Sequence, residues 1–280
     1  MEELDFTQPA KSPVYDPEAA KTFFEGAGTT ETIEAGKTFF VEREGGGFFS
    51  SDDRMYLLVD GAVAITISGK PIDVVKPGEV FGELATITDS KRSATATAKI
   101  ACRVLVLDGQ RFQAAIAKNP GFALILMSIM IDRLRLRLAR LNMLKALPSN
   151  TEVRHVFDDS TLEEISRKLG NPQLLRFSAG QSIIHAGEKG VLMYLLREGR
   201  VVITADGRML EHVGVGGVFG EMALVDHSTR AANAFAETDC ALMAVNRKQF
   251  LKLVQSNPEF GLSLLKVLGQ RLQATTGQPK

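Results

Sequence analysis

Apolar and polar positions alternate in short runs along much of this chain. YLLVDGAVAIT (56–66) and YLLREGRVVIT (194–204) each hold two such runs around a glycine turn, and RVLVLD (103–108) and ALMAVN (241–246) continue the pattern. Period-two alternation broken by turn residues predicts an antiparallel barrel or jelly roll. Beyond each last run the period becomes helical, through FQAAIAKNP (112–120) into a longer helix from Phe122 to about Leu147. A short helix opens each half, with Asp16 placed to cap PEAAKTFF and Ser160 placed to cap TLEEISRKL. The fold class expected is α+β, mainly β: two β-rolls of jelly-roll type, each with flanking helices. On the long helix, Met127, Ile131, Leu134, Leu138 and Leu141 follow 4-3-4-3 spacing. That seam reads equally as a helix packing on its own roll or as a dimerising or interdomain helix. Arg133, Arg135, Arg137 and Arg140 on the same helix read as a solvated face.

The two halves are copies of each other. VFGELA at 80–85 returns as VFGEMA at 218–223, an offset of 138 that holds without a gap from residue 56 to residue 134. Between 80 and 102, 11 of 23 residues are identical to their partners. Upstream, Gly36 matches Gly180, so the first copy carries six extra residues in VEREGGGFFSSDDR, read as an extended loop (41–55) between strands. Pro148, Ser149 and Asn150 stop the long helix, which places the domains at 1–147 and 148–280.

Composition narrows the functions. Lys+Arg and Asp+Glu both number 33, so no overall basic field draws the chain to nucleic acid or membrane. The acidic start MEELDFTQPAKSPVYD is no secretory signal, and the longest apolar stretch, Phe122 to Ile131, is too short to span a bilayer. These features predict a cytoplasmic chain with no membrane partner. Two cysteines, Cys102 and Cys240, read as small buried hydrophobes, and four scattered histidines offer no metal spacing. No P-loop, kinase set, GxSxG or HExxH occurs, so no catalytic residue, metal or cofactor is expected.

The chemistry concentrates in 77–98 and its copy 215–234. A glycine before a short helical turn presents backbone N–H groups that can cradle a phosphate. One arginine on the following strand can neutralise a phosphodiester. A carboxylate accepts from a ribose hydroxyl, and small residues after the arginine let a ligand approach the backbone. The pattern F-G-E-[LM]-A with R-[SA]-A seven residues later resembles the phosphate-binding cassette of cyclic-nucleotide-binding domains, found in bacterial catabolite activators and in regulatory subunits of the cyclic-AMP-dependent kinase. The resemblance covers roughly 20–147 and 160–276. It implies that Gly82, Leu84 and Ala85 offer N–H groups to a cyclic phosphate, that Glu83 binds the ribose 2′-hydroxyl, and that Arg92 pairs with the phosphate, with Ser93 adding a hydroxyl and Ala94 leaving space. The matching positions are Gly220, Met222 and Ala223, then Glu221, Arg230, Ala231 and Ala232. The competing reading makes Glu83 and Arg92 an ion pair in a roll that has lost its ligand.

The same resemblance puts the base against the C-terminal helix. Arg271-Leu272-Gln273-Ala274-Thr275-Thr276 resembles the activators' base-contacting segment, so Arg271, Thr275 and Thr276 join the implied site. The first copy has Arg133 but no hydroxyl, and the alternative is that Arg133 and Arg271 are exposed helix residues. No helix-turn-helix segment follows Thr276, so no direct DNA binding is expected. These residues predict a non-enzymatic receptor, first for cAMP, that signals to a separate effector protein, with a homodimer through helix 122–147 as a further expectation. The alternatives are a receptor for cGMP or cyclic di-GMP, or a regulatory subunit of a kinase or other enzyme. The last is disfavoured because no Arg-Arg-x-Ala run precedes the first copy.

Overall fold

The computed structural model describes residues 15–45, 54–143 and 153–275. Most of the lengthened loop of the first copy, residues 46–53, lies outside them, as do 144–150 and Thr276. Contacts divide the chain into two compact units, Tyr15–Ile125 and Leu126–Lys280.

The first unit runs α1 (Pro17–Ala27), β1 (Thr29–Ile33), β2 (Thr38–Phe40), β3 (Arg54–Asp60), β4 (Val63–Ile67), β5 (Lys70–Val75), β6 (Val80–Phe81), α2 (Glu83–Thr88), β7 (Thr95–Ala98), β8 (Cys102–Asp108) and α3 (Gly109–Lys118). α4 (Phe122–Met143) follows. The second unit continues with β9 (Val153–Arg154), α5 (Asp159–Lys168), β10 (Leu175–Phe177), β11 (Ser182–Ile184), β12 (Leu192–Glu198), β13 (Val201–Ala205), β14 (Arg208–Val213), β15 (Val218–Phe219), α6 (Met222–Asp226), β16 (Asn233–Ala236), β17 (Cys240–Asn246), α7 (Arg247–Ser256) and α8 (Pro258–Ala274).

Each roll is two sheets face to face, antiparallel except where the short β9 joins β14 in parallel, the jelly-roll arrangement the alternation predicts. The orders are β1-β8-β3-β6 with β2-β7-β4-β5, and β10-β17-β12-β15 with β11-β16-β13-β14-β9. Strand faces that alternate in and out place one core between the sheets. In the first roll that core includes Tyr56, Leu58, Val63, Phe81, Cys102 and Val104. In the second it includes Tyr194, Leu196, Val201, Phe219, Cys240 and Leu242, the same positions shifted by 138. The two cysteines are buried thiols inside these cores.

The helix starts follow capping chemistry, with one correction. Asp16 caps α1, its carboxylate accepting from the N–H groups of Glu18 and Ala19 at 3.0 and 3.2 Å. At α5 the cap is Asp158, two residues before the expected Ser160. Its carboxylate takes the Thr161 N–H at 2.8 Å, and the Ser160 hydroxyl donates to Asp158. The backbone is extended at Asp158 and helical from Asp159, so the oxygen at Asp158 is the one that meets the free N–H groups of the first turn.

α4 also differs from expectation. From Leu126 onward its contacts group it with the second unit, whereas the repeat assigns it to the first. Its seam is packed inside the chain, with Met127, Ile131 and Leu134 all buried. Arg135 is no solvated residue, since it pairs with Asp226. Among the described residues no single helix is long and apolar enough to cross a membrane.

Candidate functional site

The second cassette forms where β15 ends. Gly220 turns the chain at a φ of 79°, Glu221 follows, and α6 starts at Met222. A helix start leaves its first N–H groups without intrahelical acceptors. Arg230 lies just before β16 and is oriented by two carbonyls, donating to Gly220 at 2.7 Å and to Leu192 at 2.5 Å. Backbone bonds fix the segment that carries it, Gly187 N–H to Arg230 at 2.9 Å and Arg230 N–H to Glu188 at 2.8 Å. Burial lowers the Arg230 pKa, opposed by Tyr194, Glu221 and Glu188. A guanidinium has five N–H donors, and the two carbonyl contacts leave the rest available to an anion.

These groups share one cavity, with an empty volume of about 860 Å³ counting the part that opens to solvent. Gly220, Glu221, Met222 and Ala223 line it, together with Arg230, Ala231 and Ala232. Arg271 and Thr275 reach it from α8. Thus every described residue expected in the second site lies in one place, and only Thr276 falls outside the described residues. The Thr275 hydroxyl donates to the Leu272 carbonyl at 2.6 Å, which leaves its oxygen as an acceptor.

Arg271 is not an exposed helix residue. It donates to one oxygen of Glu221, to Glu211 at 2.9 Å through Nε, and to the Val218 carbonyl at 3.0 Å. Arg154 holds the other oxygen of Glu211 at 3.0 Å and donates to Gln270 at 2.6 Å. Two arginines and two carboxylates thus balance in charge beside the cavity. Burial alone would raise the Glu211 carboxyl, but Arg271 and Arg154 hold it below the usual carboxylate range. Burial alone would lower Arg271, and Glu211 and Glu221 hold it above its ordinary value. Glu221 is 1% exposed, and its second oxygen is buried with no hydrogen-bond partner.

The first cassette repeats the local geometry. Gly82 has a φ of 74° and precedes α2, which begins with buried Glu83. Arg92 donates to the carbonyls of Gly82 at 2.7 Å and Arg54 at 2.9 Å, the positions matching Gly220 and Leu192. Leu84 and Ser93 are half-buried, while Ala85 and Ala94 are buried. One difference is local. Arg92 is buried under the Phe40 ring, 4.4 Å from its centroid, whereas Arg230 is half-buried and its neighbour at the matching position is Ile184. Arg133 is half-buried on α4, in the stretch that groups with the second unit.

A family model described as cyclic nucleotide-binding domain matches residues 48–119 and 174–257, more than half of the chain and once in each roll. The chain belongs to the cyclic nucleotide-binding domain family. Within that family it is similar to the cAMP-activated global transcriptional regulator CRP of Haemophilus influenzae, 31% identical over 140 residues, which are 46% of this chain and 62% of that protein. It is similar to the cAMP-dependent protein kinase type II regulatory subunit of Drosophila melanogaster, 24% identical over 254 residues, 84% of this chain and 60% of that protein. The chain therefore spans less than two thirds of the length of these curated relatives. Among solved structures, the regulatory domain of Toxoplasma gondii PKA with cAMP matches at 25% identity, covering 86% of this chain and 87% of that one, with a TM-score of 0.31.

Several residues of this candidate site were not singled out from sequence. Glu211 had a usable signal, because it shares the inward face of β14 with Val213. Arg154 had none, as a lone arginine in a linker reads as solvated. Gly190 is explained only by packing: a Cβ there would sit 2.4 Å from that of Ala223 and 2.8 Å from the Arg230 guanidinium carbon.

Proposed function

We propose that the chain is a cyclic nucleotide receptor, cAMP being the first ligand, that does no chemistry on its ligand and relays binding through its helices to an effector protein. The observation that carries this reading is the cavity of the second roll. It places an oriented arginine, helix-start N–H groups and an unpartnered buried carboxylate oxygen within one volume. In this reading Arg230 and the N–H groups of Gly220, Met222 and Ala223 take the cyclic phosphate. The free oxygen of Glu221 accepts from the ribose 2′-hydroxyl, its other oxygen being held by Arg271. The Thr275 oxygen faces the base and accepts from an exocyclic amino group, which favours adenine over a base presenting a carbonyl there.

The first cassette supports the same role for Gly82, Glu83, Leu84, Ala85 and Arg92, with Ser93 as an added donor and Ala94 as space. Relay to an effector is supported by α8, which Arg271 ties to the Glu221 carboxylate assigned to the ribose, because a ligand shifts populations only through groups it contacts differently in two states. The seam of α4 is packed within the chain, so this proposal includes no homodimer through 122–147.

Isothermal titration of the full chain with cAMP, cGMP and cyclic di-GMP tests the reading. It expects saturable binding of cAMP, reduced by Arg92→Ala or Arg230→Ala and lost in the double variant. Binding unchanged in the double variant would overturn the assignment of both cassettes. Tighter binding of cGMP or cyclic di-GMP would change the ligand and keep the site.

A further inference from the structure

We propose that α4 is a wall of the second cassette's cavity and sets how tightly that site holds its ligand, although α4 lies outside the second repeat in sequence. The inference rests on the receptor reading above. Leu134, which is buried, and Leu138, which is half-buried, both line the cavity. Their i, i+4 spacing puts them on one face of the helix. With Ile203, Leu210 and Ala274 they make its apolar side, while Glu221 and Arg230 contribute charged groups. A nucleotide that gives its phosphate to Arg230 and its ribose to Glu221 has only its flat base left to meet an apolar wall.

The helix is latched to the cassette itself. Arg135 lies between the two leucines in sequence, and its guanidinium forks onto Asp226, Nε to Oδ2 at 2.5 Å and Nη2 to Oδ1 at 3.3 Å. Asp226 is the last residue of α6, the helix whose first N–H groups face the phosphate position. Its side chain is 3% exposed, and it also accepts from the Ser228 N–H at 3.1 Å and hydroxyl at 2.8 Å. A forked, charge-assisted contact on a buried carboxylate gives both strength and direction. Leu136, by contrast, is 46% exposed and lines nothing in the cavity. Ligand binding and docking of α4 therefore favour each other, because the ligand has a wall to contact only when the helix is in place. Arg135 acts here as a positioning residue, while the two leucines contact the ligand.

The test uses the full chain carrying Arg92→Ala, so that only the second site titrates, with cAMP as the probe. Leu138→Ala is expected to weaken binding about 10-fold or more, the effect of removing methylene groups from an apolar pocket. Leu138→Met, which keeps the volume, restores it to within about threefold. Arg135→Gln weakens binding as well, and combining it with Asp226→Asn adds less than the product of the two single effects, since both break one contact. Leu136→Ala leaves affinity unchanged. If Leu138→Ala and Arg135→Gln both bind like the parent while Arg230→Ala abolishes binding, the wall is refuted and the receptor stands. A parent chain that binds none of the cyclic nucleotides overturns both readings.

Discussion

At Glu221 the two carboxylate oxygens have different fates: Arg271 holds one, and the other is buried without a partner. A bare buried acceptor is costly, and a ligand hydroxyl is the kind of group that relieves it. Glu211 is the support behind it, gripped by Arg271 and Arg154. Removing one member of a buried ion cluster strands the others, so Glu211→Gln should destabilise the chain by about 3–5 kcal/mol in urea unfolding. Its pH dependence follows in sign. The folded-state carboxyl of Glu211 is held below its unfolded value. Its contribution is therefore complete above the ordinary glutamate value of about 4.3 and is lost as pH falls through the lowered value. Thermal melts should show a midpoint that drops on acidification below about pH 5, and a shallower drop in Glu211→Gln. An equal slope in both chains would mean that Glu211 is not the group being titrated.

The cassette is a local element whose geometry a short stretch of chain dictates. Gly220 combines a φ of 79° with a close approach, since an added Cβ would sit 2.7 Å from Nη1 of Arg230 and 3.1 Å from Ile184. An L-residue there pays backbone strain and pushes the arginine off its carbonyl anchors. Gly220→Ala should cost about 1–3 kcal/mol in urea unfolding and should also weaken ligand binding at the second site. Stability lost with affinity retained would show that Arg230 keeps its position by other means. This element was legible beforehand because its parts are contiguous: a glycine, a helix start and an arginine ten residues on. The α5 cap was misread for a related reason. Asp158, Asp159 and Ser160 all offer oxygens, and the choice among them depends on where the backbone turns, which composition does not specify.

At the scale of the whole molecule the two rolls have matching cores but different surroundings for their cassettes. Arg92 lies buried under Phe40, while Arg230 is half-buried beside a cavity that α4 and α8 help to line. Titration of the full chain should therefore show two binding events of unequal affinity, and each of Arg92→Ala and Arg230→Ala should leave one. A single class of two equal sites would contradict that inequality. The chain by itself determined the duplication and the jelly-roll class, because alternation, turn glycines and a 138-residue repeat are local or periodic signals, and the cassette residues were read from a contiguous motif that resembles a known family. Only the tertiary structure decided what completes the second cavity. Arg154, Glu211, Arg271 and the Leu134–Leu138 face come from four separate elements. Read singly, a linker arginine, a strand glutamate and a leucine seam are ordinary solvated or core positions, and only Arg271 was implied by the resemblance. Packing brings them to the lining of one cavity, and no spacing along the chain encodes that meeting.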